Sequence, residues 1–430
     1  MTRPLRIGLA GLGTVGAGVV RILQTHADLV AIRAGRPIAI AAISARSRSR
    51  DRGVDLSDYA WEDDPVTLAR RADVDVVVEA MGGENGPAKA TATAALQGGK
   101  HLVTANKAML ARHGAGLAEA AEAAGVGLRF EAAVAGGIPV VKALTEGLAG
   151  NAITRVMGVL NGTCNYILTA MEARRAPYAE VLEEAQRLGY AEANPSFDVG
   201  GVDAAQKLAL LAAIAFGVRP NVSAMTVEGI ERVSLADIEH AAGMGYRIKL
   251  LGVARATDGG LEARMQPCLV PSGSPVGRLE GVTNMVVLEG DFAGRIVLSG
   301  PGAGAGPTAS AIVGDIVDIA RGLAIPAFGR PATSLASVAA AAPGSAGEAA
   351  YYLRLTLADA PGVLAKVAAA LGSAGISINR MRQVEHDGAE APVLIVTHRT
   401  GRMALDGALA EIAGLDVCRA EPVAIRIEDV

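Results

Sequence analysis

Asp203 and Lys207 stand four residues apart at the head of a nearly unbroken apolar segment, Leu208 to Phe216. At helical spacing this puts a carboxylate and an ammonium on one face, and the apolar run predicts that the lysine is partly buried. Burial lowers an amine pKa while a neighbouring carboxylate raises it, so such a pair can be tuned for proton transfer near neutral pH. An isolated pair at this spacing is most often a surface ion pair; the context argues for chemistry. The preceding stretch from Gly189 adds Glu192 and Asp198, so three carboxylates and a lysine fall within nineteen residues. That grouping suits a substrate that carries an ammonium group. A second lysine, Lys107, closes Val103-Thr104-Ala105-Asn106-Lys107 just behind an apolar run. Only seven of the forty Lys plus Arg residues are lysines, which makes two at such positions informative.

A third feature sits at the start of the chain. Gly11-Leu12-Gly13-Thr14-Val15-Gly16 follows an apolar strand, Leu5 to Leu9, and opens a helix. In that context the glycine pattern is a dinucleotide fingerprint: the first glycine permits a tight turn, the second lets the backbone approach the pyrophosphate, and the third lets helix and strand pack. Phosphate then sits at the helix N-terminus. The end of the second strand, Ile43-Ser44-Ala45-Arg46-Ser47-Arg48-Ser49-Arg50, offers hydroxyls and guanidiniums with no carboxylate before Asp51. An NAD site usually places an acid there, whereas arginine suits a 2′-phosphate. NADP is therefore the expected cofactor, with NAD as the alternative, and Arg46 the leading contact.

The elements that must position these groups divide the chain into three parts. In residues 1–130, strands Leu5–Leu9, Ile38–Ile43, Val74–Val78 and His101–Thr104 alternate with helices Val15–Gln24, Pro87–Gln97 and Gly116–Ala124, the rhythm of a Rossmann-type doubly wound parallel sheet. Residues 131–330 read as a mixed α/β substrate domain, which the resemblance described below makes the catalytic and dimerisation domain. It has helices Gly162–Ala173, Tyr178–Gly189 and Asp203–Phe216, strand-like runs Arg247–Ala254 and Met285–Glu289, and a glycine cluster at Gly300–Pro307. The helix Thr308–Arg321 that follows is expected to pack back on the first domain. Ala339–Ala350 has the Ala, Gly, Pro and Ser composition of a flexible linker. Beyond it, residues 351–430 give β, α, β, β, α, β, the split ferredoxin-like unit. The linker composition predicts few contacts across it, so that the last eighty residues or so could be removed without harm to the rest.

Six motifs in order resemble homoserine dehydrogenase across nearly the whole chain: the Gly11–Gly16 turn, Thr104–Lys107, Glu131–Pro139, Asn161–Leu168, the stretch Gly189–Lys207, and the glycine cluster before Thr308. The resemblance implies interconversion of aspartate 4-semialdehyde and homoserine with a nicotinamide cofactor. It implies Lys207 as proton donor and base, Asp203 as its orienting partner, and Lys107 beside cofactor and substrate. It assigns the substrate to Glu192, Asp198, Asp203, Thr163 and Tyr190, and the cofactor to Gly11, Gly13, Thr14, Val15, Gly16, Arg46, Thr104, Asn106, Lys107, Gly189 and Gly304. It also implies a sodium ion on Glu131, Val134, Gly136 and Ile138, and assembly as a homodimer or homotetramer. Asn194 stands where the family commonly has Asp, and Cys164 where a hydroxyl residue is usual. The last part resembles an ACT domain, through Asp359-Ala360-Pro361-Gly362-Val363-Leu364 and Gly375-Ile376-Ser377-Ile378-Asn379. That implies feedback by threonine, with Asp359, Gly362, Val363, Leu364 and Asn379 near the effector.

A net charge of −4 and a pI near 6.0 exclude a polyanion-binding footprint. No run of about twenty apolar residues exists to span a membrane, and three scattered cysteines suit a reducing compartment, hence the cytoplasm. Two rival readings are another Rossmann amino-acid or hydroxy-acid dehydrogenase, which would want an arginine clamp or a histidine base, and a non-enzymatic cofactor or amino-acid sensor, which would have no use for the Asp203 and Lys207 pair.

Overall fold

The computed structural model describes residues 3–257, 260–337, 347–383 and 388–430. The first domain is built on a six-stranded parallel sheet. Its spatial order is Ala60–Glu62, Ile38–Ser44, Leu5–Ala10, Val76–Glu79, His101–Thr104 and Leu128–Arg129. Ile7, Leu9, Val76, Val77 and Val78 are fully buried, because helices cover both faces of a parallel sheet. Strand order reverses between Leu5–Ala10 and Val76–Glu79, and the crevice at such a reversal is where doubly wound sheets bind ligands. The helix Ala305–Ala320 does return to this domain: Ala309, Ile312, Val313 and Ile316 share one core with Leu5, Ile7, Leu9 and Val19. The catalytic half is thus clasped to the cofactor half at both ends of its sequence.

A second sheet of ten strands carries the rest. From its free edge it runs Gly294–Pro301, Thr283–Gly290, Ile153–Val159, Tyr246–Thr257 and Gly260–Pro271, with Thr226–Val227 paired to the last of these. Helices Gly162–Arg174 and Val202–Phe216 pack on this sheet, and their buried residues, including Ile167, Leu208 and Leu211, form the main core with Met265 and Val286.

The terminal module does not stand apart. It folds in the expected β, α, β, β, α, β order, yet its last strand, Val423–Ile427, pairs in parallel with Gly260–Pro271 through Cys268 opposite Arg426 and Leu269 opposite Ile427. The sheet continues through Tyr351–Ala358 and Glu390–Thr397 to Ile378–Gln383. Tyr352, Leu394 and Ile425 belong to the catalytic core. Arg354 pairs with the fully buried Asp237 at 2.6 Å, and Tyr352 donates to the same carboxylate at 3.2 Å. Glu428, also buried, accepts from Arg426 at 3.0 Å and from Arg264 and Arg155, which belong to the catalytic domain. The expectation of few crossing contacts is overturned. A Gly, Ala, Pro and Ser composition carries no information on whether the bodies it joins dock. Of the expected linker, residues 339–346 lie outside the described residues.

Another expectation needs correction. The helix expected from Gly116 begins at Lys107 and runs to Ala123, capped by the Asn106 side chain, which accepts from Met109 N at 3.1 Å. Gly114, a poor helix former, is held inside this helix under the ring of Phe328, where a side chain would crowd. Among the described residues no single helix is long and apolar enough to cross a membrane.

Candidate active site

Asp203 and Lys207 lie in the first two turns of the helix Val202–Phe216, and the apolar residues behind them bury that end against the sheet. Lys207, 8% exposed, donates from Nζ to Asp203 Oδ2 and to the carbonyl of Leu160, both at 2.8 Å. Lys107 reaches the other oxygen, Oδ1, at 3.1 Å and keeps 31% of its side chain exposed. One buried carboxylate therefore holds two ammoniums, one from each of the two domains. Burial pushes the Asp203 carboxyl up, but the charges of Lys207 and Lys107 with the hydrogen bonds from Lys207 and Asn161 outweigh it and hold the group well below the usual range.

Asn161, which the sequence reading did not single out, organises the acids. Its Nδ2 donates to Asp198 Oδ1 at 2.8 Å and to Asp203 Oδ2 at 3.0 Å, while its Oδ1 accepts from Cys164 N and caps the helix Gly162–Arg174. An Asn directly before Gly-Thr at a helix start is an N-cap signal, so the residue was findable. Burial, together with the charge of Asp203, raises the Asp198 carboxyl, offset by the Asn161 bond. The Cys164 thiol, raised well above its ordinary value by burial and the neighbouring acids, donates to the Asp198 carbonyl at 3.2 Å. It fills the place of a hydroxyl with a weaker donor and adds no nucleophile. Asn194 accepts from Ser196 N at 3.3 Å and Ser196 Oγ at 2.8 Å, so an amide steadies the entry to Ser196–Val199 without a charge.

The remaining substrate candidates form a rim. Thr163 Oγ1 donates to the Tyr190 carbonyl, and the Tyr190 ring packs edge-on to Tyr166 with centroids 4.9 Å apart. Glu192 is exposed on the same loop; the hydrogen-bonded cluster of Asp198, Asn161 and Asp203 does not include it.

On the cofactor side, a side chain at Gly11 (φ +102°) would meet the Ala80 carbonyl at 2.5 Å, and one at Gly16 would meet the Gly11 carbonyl at 1.9 Å. Above Gly13 the space is open for 4 Å. Thr14 and Val15 begin the helix Thr14–Thr25, whose first turn has no acid to oppose an anion. Facing this turn, Thr104 donates to the fully buried Glu79 at 2.6 Å, Glu79 accepts from Met81 N at 2.8 Å and Gly82 N at 3.2 Å, and Asn106 Nδ2 donates to the Gly83 carbonyl at 2.7 Å. Glu79 is the second residue that sequence reasoning missed; an acid ending the run Val76–Val78 was its signal. Gly189 and Gly304 both have positive φ and open space at the Cβ position toward backbone neighbours. Arg46 is exposed after Ile38–Ser44.

The expected sodium loop is tight. Glu131 uses both carboxylate oxygens on Val141 N at 2.9 Å and Lys142 N at 2.8 Å, and burial, offset by these bonds, raises its carboxyl. What Glu131, Val134, Gly136 and Ile138 have to offer a hard cation is their main-chain oxygens, a donor set that fits a weakly held monovalent ion. In the terminal module, Asp359, Gly362, Val363 and Leu364 line one cavity of about 370 Å³ with Gln383. Asn379 is exposed and lies outside that lining.

A doubly wound nucleotide crevice facing a carboxylate that holds two lysines defines a dinucleotide-dependent oxidoreductase. The chain matches the homoserine dehydrogenase model over residues 139–317, the NAD-binding domain of homoserine dehydrogenase over 11–131, and the ACT domain over 351–417. It is 43% identical over 435 residues to homoserine dehydrogenase of Neisseria gonorrhoeae (100% and 99% of the two chains) and 42% identical over 438 residues to that of Pseudomonas aeruginosa (100% of both). The solved homoserine dehydrogenase from Thiobacillus denitrificans superposes with a TM-score of 0.93 at 40% identity over 99% of each chain. A hyperthermophilic archaeal homoserine dehydrogenase solved with NADPH is more distant: TM-score 0.63, 26% identity, 74% of this chain and 97% of that one. The chain belongs to the homoserine dehydrogenase family, and its dinucleotide is a nicotinamide cofactor.

Proposed function

We propose that the chain interconverts L-aspartate 4-semialdehyde and L-homoserine with NADP. The observation that carries the mechanism is the shared carboxylate of Asp203, which holds Lys207 and Lys107 at 2.8 Å and 3.1 Å on its two oxygens. The cofactor, when bound, supplies or accepts the hydride at the carbon that bears the reacting oxygen. Lys207 donates a proton to that oxygen in reduction and removes it in oxidation, held on line by Asp203 and Leu160 O. Lys107, at the start of its helix and at the mouth of the crevice, stabilises the oxygen as charge develops on it. Asp198 and Glu192 receive the substrate ammonium, and Thr163 and Tyr190 close the rim. Gly11, Gly13, Thr14, Val15, Gly16, Thr104, Asn106, Gly189 and Gly304 form the cofactor crevice, with Arg46 on the 2′-phosphate.

Main-chain oxygens of Glu131, Val134, Gly136 and Ile138 hold a sodium ion that stiffens the joint between the domains and takes no part in proton transfer. Threonine binds the cavity at Asp359–Leu364 as feedback effector, and the protein works as a homo-oligomer in the cytoplasm. Steady-state assay with homoserine and each of NADP and NAD tests the reading. Lys207→Ala lowers kcat at least about a hundredfold, the scale of a lost general acid/base, with KM for the cofactor little changed; a variant that kept more than half of kcat would remove Lys207 from the mechanism.

A further inference from the structure

The segment between Ser44 and Gly53 is gathered onto one side chain. Arg52 donates from Nε to the Leu12 carbonyl at 3.0 Å, from Nη1 to the Arg50 carbonyl at 2.6 Å, and from Nη2 to the Ser47 carbonyl. Leu12 is the second residue of the glycine turn, so a single guanidinium ties the arginine-rich loop to the phosphate-binding turn. Its carbon lies 5.8 Å from the centre of the Trp61 ring, with Arg48 at 5.7 Å. Trp61 is fixed in turn. It lies on the edge strand with Ile43 opposite, and its Nε1 donates to Asp63 at 2.9 Å. Arg46, Arg48 and Arg50 are exposed around this anchor, whereas Arg52 is half-buried.

Three of the five donors of Arg52 are spent on main-chain carbonyls, in directions that only a planar fork can span. A lysine would keep the charge and lose the span. We propose that Arg52 is a positioning residue for cofactor selectivity: it sets the shape of the loop that presents Arg46 to the 2′-phosphate and does so without gripping the phosphate itself. The inference rests on the NADP reading above and deepens it.

Trp61 is the one tryptophan in the 430 residues, so its emission reports this loop alone. Arg52→Lys, Arg52→Ala, Arg46→Ala and the double variant Arg46→Ala with Arg52→Lys are made in the full chain, and NADP and NAD are titrated against Trp61 emission and in steady-state assays. Both Arg52 variants weaken NADP on the order of tenfold, the effect of losing one hydrogen bond to a charged group, and weaken NAD far less. The loss appears in KM for NADP and not in kcat. In the Arg46→Ala background Arg52→Lys adds little, because the two act in series.

Retention of the wild-type NADP-to-NAD ratio by Arg52→Lys overturns the inference, since charge alone would then suffice. Equal weakening of both cofactors also overturns it and leaves Arg52 as a brace for the glycine turn. Full additivity with Arg46→Ala does the same. Wild type binding NADP no tighter than NAD sinks the NADP reading first and this inference with it. Should Arg52→Ala fail to fold, Arg52→Lys and the wild-type titration still decide, since NADP must then change Trp61 emission beyond what NAD does.

Discussion

Replacing Asn161 by serine separates two jobs that one side chain performs. Serine caps a helix about as well as asparagine, so the bond to Cys164 N survives in kind. The two amide donations, to Asp198 at 2.8 Å and Asp203 at 3.0 Å, are lost. Asp203 keeps both lysines and remains ionised at any working pH. Asp198 has no such ammonium in contact; its carboxyl is already raised by burial and by Asp203, with the Asn161 bond as the first offset. A hydrogen bond to a charged group is worth about 1.5–3 kcal/mol, and each pKa unit corresponds to about 1.36 kcal/mol. Loss of the bond therefore moves the Asp198 carboxyl further up. Because the protonated acid cannot receive the substrate ammonium, the acid limb of kcat/KM for homoserine moves to higher pH and kcat/KM on that limb falls about tenfold to a hundredfold, the bond energy read as a ratio, while KM for NADP at neutral pH stays near wild type. The assay is a pH profile of kcat/KM for both proteins, with thermal unfolding as a control for fold. An unmoved acid limb in a folded variant would refute the reasoning and reduce Asn161 to a cap.

Three further outcomes are expected. Glu428→Gln removes the charge shared by Arg264, Arg426 and Arg155 at the domain junction and costs about 3–5 kcal/mol in denaturant unfolding; a loss under about 1 kcal/mol would mean that the modules are held by their sheet alone. Burial, with Arg247 nearby, holds the ammonium of Lys249 down to about 8, against about 10.4 in an unfolded chain. The native state therefore binds fewer protons between these values, and stability rises with pH across that window by up to about 3 kcal/mol; Lys249→Met should flatten this slope, and an unchanged slope would assign it to another group. Threonine gives a calorimetric signal with the whole protein and inhibits it with coupling of about 1–3 kcal/mol; absence of heat at concentrations that inhibit would move the effect away from the terminal module.

What the sequence made legible follows the range of the forces involved. The glycine turn, the Asp203 and Lys207 pair and the strand, helix alternation of the first domain are local patterns, and the structure has them, although the helix expected from Gly116 starts at Lys107 and short elements such as Ala27–Ala34 and Ala60–Glu62 went unread. The approach of Lys107 to Asp203 joins residues 107 and 203 across two domains, and the resemblance implied only that Lys107 lies beside cofactor and substrate. Asn161 and Glu79 were passed over for a different reason: each works through several hydrogen bonds to backbone and side chains that are distant in sequence, and a single polar residue at the end of an apolar strand or before a helix looks ordinary. Long strands such as Gly260–Pro271 and Gly294–Pro301 went unread because glycine and proline at their ends masked the alternation. Docking of the terminal module was misjudged, since sheet pairing between separate domains leaves no mark on the composition of the segment that joins them.

The continuous sheet also bears on how the molecule comes into being. The apolar strand Gly260–Pro271 is covered on one side by the short Thr226–Val227 and, much later in the sequence, by Val423–Ile427. During synthesis the part of that side beyond Thr226–Val227 remains an open edge with unsatisfied backbone groups until Val423–Ile427 has left the ribosome. A copy that still lacks those residues displays a template for strand addition, and Val423–Ile427 hides it once made. Emergence of Val423–Ile427 and closure of the catalytic sheet are the same event, so the terminal module guards against association of partial products apart from any effector role.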